Sequence, residues 1–211
     1  MGLDMYLSAT KYLDGGWSHV RNDYIHGENN SVRLVPKDPK PDNVVLFDNV
    51  IEQVVGTPYE ELSKKFTEMS SATLQVRVAY WRKVNAVHRW FVDNVQDGTD
   101  DCKEYYVGRE KLEELLDICR RIWEASDLGT PEEQEDMLGN SYQAYPHAKV
   151  NKHLANELLP PQSGFFFGDT ELDQWYLHGI KETIDQLEAL LDPDGPFAKG
   201  NGWDFEYQSS W

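Results

Sequence analysis

The segment from Val78 to Val92 constrains the fold more than any other part of the chain, because it combines four aromatic residues with three basic ones in a strongly acidic protein. We predict that a strand over 73–78 leads into it and that the segment itself forms a central helix. Apolar side chains recur there at helical spacing, which is typical of a buried stripe. The stripe consists of Tyr80, Val84, Val87, Phe91 and Val95.

The first fifth of the chain predicts two strands and a loop. Residues 3–13 alternate between apolar and polar side chains, which indicates a strand. The glycine-rich turn at 14–16 predicts a hairpin with a return strand over 17–25. Three prolines then disfavour regular structure over 26–43, which we interpret as a long loop.

Capping signals and apolar periodicity predict further helices in four places. They are 57–69, 109–124, 150–159 and a helix that begins at Asp169 or Thr170 and ends near 191. Aromatic residues indicate two more strands, over 165–167 and 203–211. The acidic stretch 126–140 predicts turns with a short helix at most, and 142–147 predicts a loop.

Mixed strand and helix patterns without regular alternation predict an α+β protein, with a mainly antiparallel sheet and helices packed on one face. The chain has 211 residues. This length suits a single domain over 1–211, with a loop insertion near 26–43 and an acidic insertion near 126–140.

The acidic composition limits the partners that the chain can bind. Its formal net charge is -17, which opposes direct binding to nucleic acid because that affinity depends on lysine and arginine. The same charge suits competition for a basic surface on another protein. Neither a signal peptide nor an apolar run long enough to span a membrane is expected, which predicts a cytoplasmic protein.

Several distinctive motifs resemble those of a family of uncharacterised bacteriophage and prophage proteins. They are the start MGLDMYL, the run from Ala79 to Val92, the turn Asp100-Asp101-Cys102, the segment from Leu159 to Gly168 and the tail YQSSW. The resemblance spans nearly the whole chain and is weakest at 26–43 and 126–140. It implies a phage-borne accessory protein with a host-directed role, such as neutralising a defence system in the host cytoplasm. It supplies no catalytic residue.

Polar and amphipathic residues within apolar segments predict a ligand site, because ligand pockets combine aromatic walls with a few placed polar groups. These residues are Trp81, Arg82, Asn85, His88, Arg89, Gln162, Ser163, Trp175, His178 and Gln208. The two arginines suit an anionic small molecule such as a nucleotide. The alternative is that these side chains satisfy one another in a polar core network.

The acidic turn after the central helix is the predicted partner-binding surface. It contains Asp97, Asp100, Asp101 and Glu104. Three functions stay open, in this order: a non-enzymatic binder of a host protein, a small-molecule or nucleotide-binding protein that sequesters its ligand, and a hydrolase.

The hydrolase alternative depends on His88 or His178 with Asp100, Asp101 or Cys102. Histidine, cysteine and carboxylate are zinc ligands or catalytic groups. The chain has only two cysteines and lacks C-x-x-C and H-E-x-x-H spacing. We therefore predict no metal, no cofactor and no catalytic residue.

Overall fold

The computed structural model describes residues 2–14, 22–26, 32–36, 55–57, 61–62, 64–65, 71–135, 139 and 141–211. Contacts group the chain into two compact units, Met1–Ala9 with Val76–Trp211, and Thr10–Gln75. The single domain with two insertions stays a prediction.

The described residues include eight strands and four helices of more than a few residues. The strands are β1 (Asp4–Asp14), β2 (Asn22–His26), β3 (Val32–Pro36), β4 (Ser71–Arg82), β5 (Tyr105–Val107), β6 (Glu132–Glu135), β7 (Ser141–Ala144) and β8 (Asp204–Ser210). The helices are α1 (Asn85–Asn94), α2 (Arg109–Glu124), α3 (Lys152–Leu158) and α4 (Gln174–Leu191).

A four-stranded antiparallel sheet in the order β4-β1-β8-β5 organises the first unit. Alternate side chains of a strand point to opposite faces. Leu3, just before β1, and Met5 and Leu7 on it are therefore fully buried, whereas the residues between them are only half-buried. On β8, Phe205 and Tyr207 are buried in the same alternating way. The predicted α+β class with an antiparallel sheet is confirmed.

Helices α2 and α4 pack together through their apolar faces. Leu112, Leu115 and Ile122 are fully buried on α2, and Leu177 and Leu187 on α4. Burying each such side chain contributes about 1.5–3 kcal/mol to folding. The observed α2 coincides with the predicted helix 109–124. No helix in the described parts of the chain is long and apolar enough to cross a membrane.

Capping interactions fix both ends of α4. Asp173 accepts hydrogen bonds from the backbone N–H groups of Trp175 and Tyr176 at the start. The guanidinium of Arg109 donates to the carbonyl oxygen of Leu191 at the end, over 2.8 Å. The predicted cap at Asp169 or Thr170 is wrong, because Asp169 instead accepts the N–H of Glu171 in a turn outside the helix.

The predicted helix over 78–92 is wrong in its first part. Tyr80, Trp81 and Arg82 belong to β4, and α1 begins only at Asn85. Lys83 separates the two elements with a φ of 58°, a backbone conformation that fits neither. In the predicted stripe, Val87 and Phe91 are fully buried, but Tyr80 is 40% exposed because it lies on the outer face of the strand.

In the second unit, β2 pairs with β3 as an antiparallel two-stranded sheet, with Tyr24 opposite Leu34. The predicted loop over 26–43 is therefore wrong at Val32–Pro36, where Pro36 ends a strand. The predicted return strand over 17–25 overlaps β2, which pairs with β3; residues 17–21 lie outside the described residues. The turn at 15–16 and most of the helix predicted over 57–69 lie outside the described residues.

Two further predictions in the first unit are wrong. Glu132–Glu135 forms a strand paired with Ser141–Ala144, where turns and a loop were predicted. Residues 165–167 form a turn rather than a strand, with the N–H of Phe167 donating to the carbonyl oxygen of Gly164. The carbonyl oxygen of Phe166 accepts the N–H of Leu3 over 3.0 Å, but the three phenylalanines join no strand ladder among the described residues.

Candidate functional site

His88 lies at the centre of a buried hydrogen-bond network. Its Nδ1 is 2.8 Å from the hydroxyl of Tyr207, and its Nε2 is 3.0 Å from a carboxylate oxygen of Asp100. The indole of Trp211 donates to the other carboxylate oxygen of Asp100 over 3.1 Å. Helix α1, the turn after it and the end of the chain are thereby joined.

The hydrogen bonds and the burial of His88 together favour one tautomer of its ring. A carboxylate oxygen accepts hydrogen bonds, so Nε2 of His88 donates to Asp100, and on a neutral ring the hydroxyl of Tyr207 donates to Nδ1. Burial lowers the pKa of His88, against the opposing effect of Asp100. Burial therefore favours the neutral imidazole.

Neither ring at the centre of the network is open to a substrate. His88 and Tyr207 are both 0% exposed, and the Tyr207 ring stacks on Phe91 with 3.9 Å between centroids. Burial raises the pKa of Tyr207 well above its usual value. This geometry fits a structural role and gives no support to a hydrolase that uses His88 with Asp100.

Asn85 ties the start of α1 to the segment after α3. Its side-chain amide donates to the carbonyl oxygens of Phe167 over 3.1 Å and Asp169 over 2.7 Å. Its oxygen accepts the backbone N–H of Gln162 over 3.1 Å. With all these groups satisfied, Asn85 fixes the position of the segment that forms one wall of a cleft.

Helix α4 lies along the outer edge of β4, the terminal strand of the sheet. The side-chain amide of Gln186 accepts the backbone N–H of Tyr80 over 2.8 Å and donates to its carbonyl oxygen over 3.1 Å. Two turns earlier on α4, Gly179 faces Val84, and a Cβ at Gly179 would lie 2.8 Å from the Val84 side chain. These two contacts set the separation of the helix from the strand.

A cleft of about 460 Å³ opens between α4 and the junction of β4 with α1. This volume is in the range of small-ligand pockets. Its charged, polar and aromatic lining comprises Tyr80, Arg82, Lys83, Asn85, Asp169, Glu171, Asp173, Trp175, Tyr176, His178 and Glu182. A more open groove of about 510 Å³ continues from it along α4 and shares Tyr80, His178 and Glu182.

One stripe of α4 supplies the aromatic and acidic wall of the cleft. Trp175, His178 and Glu182 are three and four residues apart, so they lie on the same helical face. Trp175 is 64% exposed, and its ring and that of His178 meet edge to face at 6.3 Å. Burial lowers the pKa of His178, which favours the neutral imidazole.

Glu182 is half-buried and forms no hydrogen bond or ion pair within the described part of the chain. Burial raises the pKa of this carboxyl. Other charged groups of the cleft are already engaged: Arg82 bonds to Asp4 over 3.2 Å, and Asp173 caps α4. Lys83 is exposed, and the described residues provide no ion-pair partner for it.

Four of the ten residues predicted to bind a ligand line this cleft: Arg82, Asn85, Trp175 and His178. The other six lie elsewhere. Trp81 is fully buried in the core, His88 is in the network, Arg89 pairs with Asp93 on the surface, Gln162 is half-buried beside Asn85, Ser163 is exposed, and Gln208 donates to the carbonyl oxygen of Cys102.

The predicted partner-binding turn is only partly available at the surface. Asp97 and Glu104 are exposed, whereas Asp100 is held by His88 and Trp211. Asp101 pairs with Lys103 over 2.6 Å and accepts a hydrogen bond from Tyr105, and these contacts lower its pKa. Hence two of the four carboxylates stabilise the turn itself.

Sequence patterns did not identify Lys83, Gly179 or Glu182 as site residues. Glu182 is one of several acidic residues on an amphipathic helix, and its significance depends on the absence of a partner among the described residues. The glycine within the predicted helix was a usable signal, since an interior glycine costs stability and often marks close packing.

No cluster of histidine, cysteine and carboxylate side chains suitable for a metal ion occurs among the described residues. Both cysteines are free thiols, and burial raises the pKa of Cys119 above its usual value. Comparisons with known protein families, curated proteins and solved structures found no significant match to this chain.

Proposed function

We propose that this protein is a non-enzymatic binding protein that recognises a positively charged host protein, in keeping with the phage-type accessory role implied by its sequence. The charge of the cleft carries the proposal. Four carboxylates line it, against two cationic side chains, Arg82 and Lys83. A positively charged group is favoured there over an anionic one, because opposite charges attract across an interface.

The rest of the acidic surface supports the same kind of partner. Asp97 and Glu104 are exposed after α1, and Glu133 and Glu135 are exposed on β6. With a formal net charge of -17, the protein attracts basic surfaces over roughly a Debye length, about 8–10 Å at physiological salt. Such attraction raises the association rate and selects the sign of the partner.

The test is recovery of a partner from bacterial host lysate with matched charge variants. One variant combines Asp97→Asn with Glu104→Gln, and a second combines Glu133→Gln with Glu135→Gln. The control combines Glu124→Gln with Asp194→Asn, which removes the same charge from exposed positions outside both of these acidic surface groups.

We expect to recover a basic protein whose affinity for the purified wild type falls as the salt concentration rises. At least one of the two variants should bind this protein more weakly than the wild type does, whereas the control should bind it equally well. Recovery of no basic partner, or equal binding by all variants, would contradict the proposal.

A small-molecule-binding protein is the second candidate, and the size of the cleft with its exposed Trp175 favours it. Thermal-shift measurements with mono-, di- and cyclic nucleotides, and with organic cations, test this candidate. A shift that disappears in Trp175→Ala supports it, and an unchanged unfolding temperature across both sets counts against it.

A further inference from the structure

The half-buried carboxylate of Glu182 has no partner in the described chain, although it faces a cleft with an aromatic wall. Desolvating a carboxylate without pairing it costs free energy. Its neighbours on the same face of α4 are the rings of His178 and Trp175, one and two turns away. A group that pairs with Glu182 therefore lies beside an open aromatic surface.

Planar cations match this combination better than compact ones. A guanidinium forms two parallel hydrogen bonds with a carboxylate and stacks on aromatic rings, whereas an ammonium is a strongly hydrated point charge. Trp175 and neutral His178 provide ring faces and edges for such stacking. The adjoining groove along α4 is open, so the chain that carries the guanidinium has space to continue past Tyr80 and Gln186.

Anionic ligands suit the cleft less well. Arg82 already bonds to Asp4, and Arg89 lies outside the cleft in a pair with Asp93. Lys83 is the remaining cation, and it shares the lining with Glu171 and Glu182. A phosphate in this cleft would meet more negative than positive charge.

We infer that the cleft is an anchor pocket for an arginine side chain of the protein partner, with Glu182 binding the guanidinium and Trp175 packing against it. This inference rests on the proposed function, because it identifies the contact through which a basic partner is held. The lining of the cleft does not include the acidic surface residues at 97, 104, 133 and 135.

The experiment uses the full chain and two capped pentapeptides that differ only at the central residue, arginine in one and citrulline in the other. Citrulline keeps the shape of the side chain but lacks the charge. Binding is followed by two-dimensional NMR. We expect shifts at Trp175, His178 and Glu182 with the arginine peptide and none with the citrulline peptide.

Two variants and two controls test the assigned contacts. Glu182→Gln should weaken the affinity for the arginine peptide about tenfold to a hundredfold, as expected for loss of a charge-assisted hydrogen bond. Trp175→Ala should weaken it less. Glu124→Gln and Phe165→Ala make the same kinds of change at exposed positions outside the cleft and should leave binding unchanged. The unfolding midpoint of each variant establishes that it is folded.

Absence of arginine-peptide binding, or equal binding by wild type and Glu182→Gln, would overturn the inference. Ethylguanidine distinguishes a free cation from a protein side chain: if it binds as tightly as the peptide, the assignment to a protein partner is overturned. If the recovered partner binds Glu182→Gln but no longer binds the surface variants, this inference is overturned and the proposed function stays intact. If no basic partner is recovered and the arginine peptide does not bind, both this inference and the proposed function are overturned.

Discussion

Single side chains determine whether the polar groups of this protein are structural or available for binding. His88 and Glu182 are both titratable and largely enclosed, but every polar atom of the His88 ring has a hydrogen-bond partner. Glu182 has none among the described residues. The difference assigns His88 to the core and Glu182 to the cleft.

Replacing Tyr207 with phenylalanine tests the structural role of the network. The change removes the hydroxyl that donates to His88 and leaves Nδ1 buried without a partner. We expect the free energy of unfolding to fall by about 1–3 kcal/mol, the usual cost of an unsatisfied buried group. Urea unfolding measures it, with the exposed Tyr106→Phe as control. Equal stability of the two variants would contradict a structural network.

Glu182→Gln should stabilise the protein at neutral pH. Burial raises the pKa of Glu182 in the folded state above its unfolded value, so this group contributes stability below the unfolded pKa and loses that contribution as pH rises through the folded pKa. At pH 7 the wild type therefore carries a penalty that the neutral amide lacks.

Melting temperatures at pH 7 and at about pH 4, near the usual glutamate pKa, measure this effect. The advantage of Glu182→Gln over the wild type should be largest at pH 7 and smaller at the lower pH. The same substitution at Glu124 serves as control and should show no such dependence. A lower melting temperature for Glu182→Gln at pH 7 would contradict the desolvation argument.

At the scale of elements, the width of the cleft depends on how closely α4 approaches the junction of β4 and α1. Gly179 permits this approach, since any side chain there would meet Val84. Alanine normally favours a helix by about 1 kcal/mol over glycine. An alanine at position 179 would nevertheless destabilise the protein, because its Cβ would collide with Val84 and push α4 away from the junction of β4 and α1.

We expect Gly179→Ala to lower the free energy of unfolding by about 1 kcal/mol, because overpacking of about 1–3 kcal/mol outweighs the gain in helix propensity. The double variant Gly179→Ala with Val84→Ala removes the collision. Chemical denaturation of the two single variants and the double variant gives the coupling energy. If the two single effects simply add, Gly179 and Val84 are not in contact.

The elements that sequence predicted best are those whose pattern has one interpretation. Helix α2 has an apolar face from Leu112 to Ile122 and was predicted at its observed bounds. By contrast, Tyr80 to Arg82 fits helical spacing as well as strand alternation, and pairing in the sheet decided the outcome. Apolar residues at 165–167 predicted a strand, but strand formation requires a neighbour that the sequence does not specify.

The candidate site was partly predictable for the same reason. Arg82, Asn85, Trp175 and His178 were recognised as polar or amphipathic residues within apolar segments, and they line one cleft. Trp81 and His88 met the same criterion but are buried. Glu182 was missed because a missing partner is a property of three-dimensional packing.

At the scale of the whole molecule, unbalanced charge is the dominant electrostatic property. A formal charge of -17 on 211 residues produces self-repulsion that opposes the compact state. Local pairs such as Arg120 with Glu188 offset only part of it, since exposed pairs each contribute about 0–1 kcal/mol.

Sodium chloride should therefore stabilise the wild type. Raising its concentration from about 0.01 to 0.15 M shortens the Debye length from about 30 to 8 Å and screens the repulsion. We expect the melting temperature measured by circular dichroism to rise over this interval, and to rise less in the variant with Glu133→Gln and Glu135→Gln. A melting temperature that falls with salt would indicate that attractive pairs dominate.

The amide of Gln186 has a consequence for self-association. Strand β4 is at the end of the sheet, where an unpaired N–H and C=O can serve as a template for a strand from another molecule. Gln186 occupies both groups of Tyr80 and blocks such addition at this position. One side chain thus protects this position of the sheet edge against pairing with a strand from a second molecule.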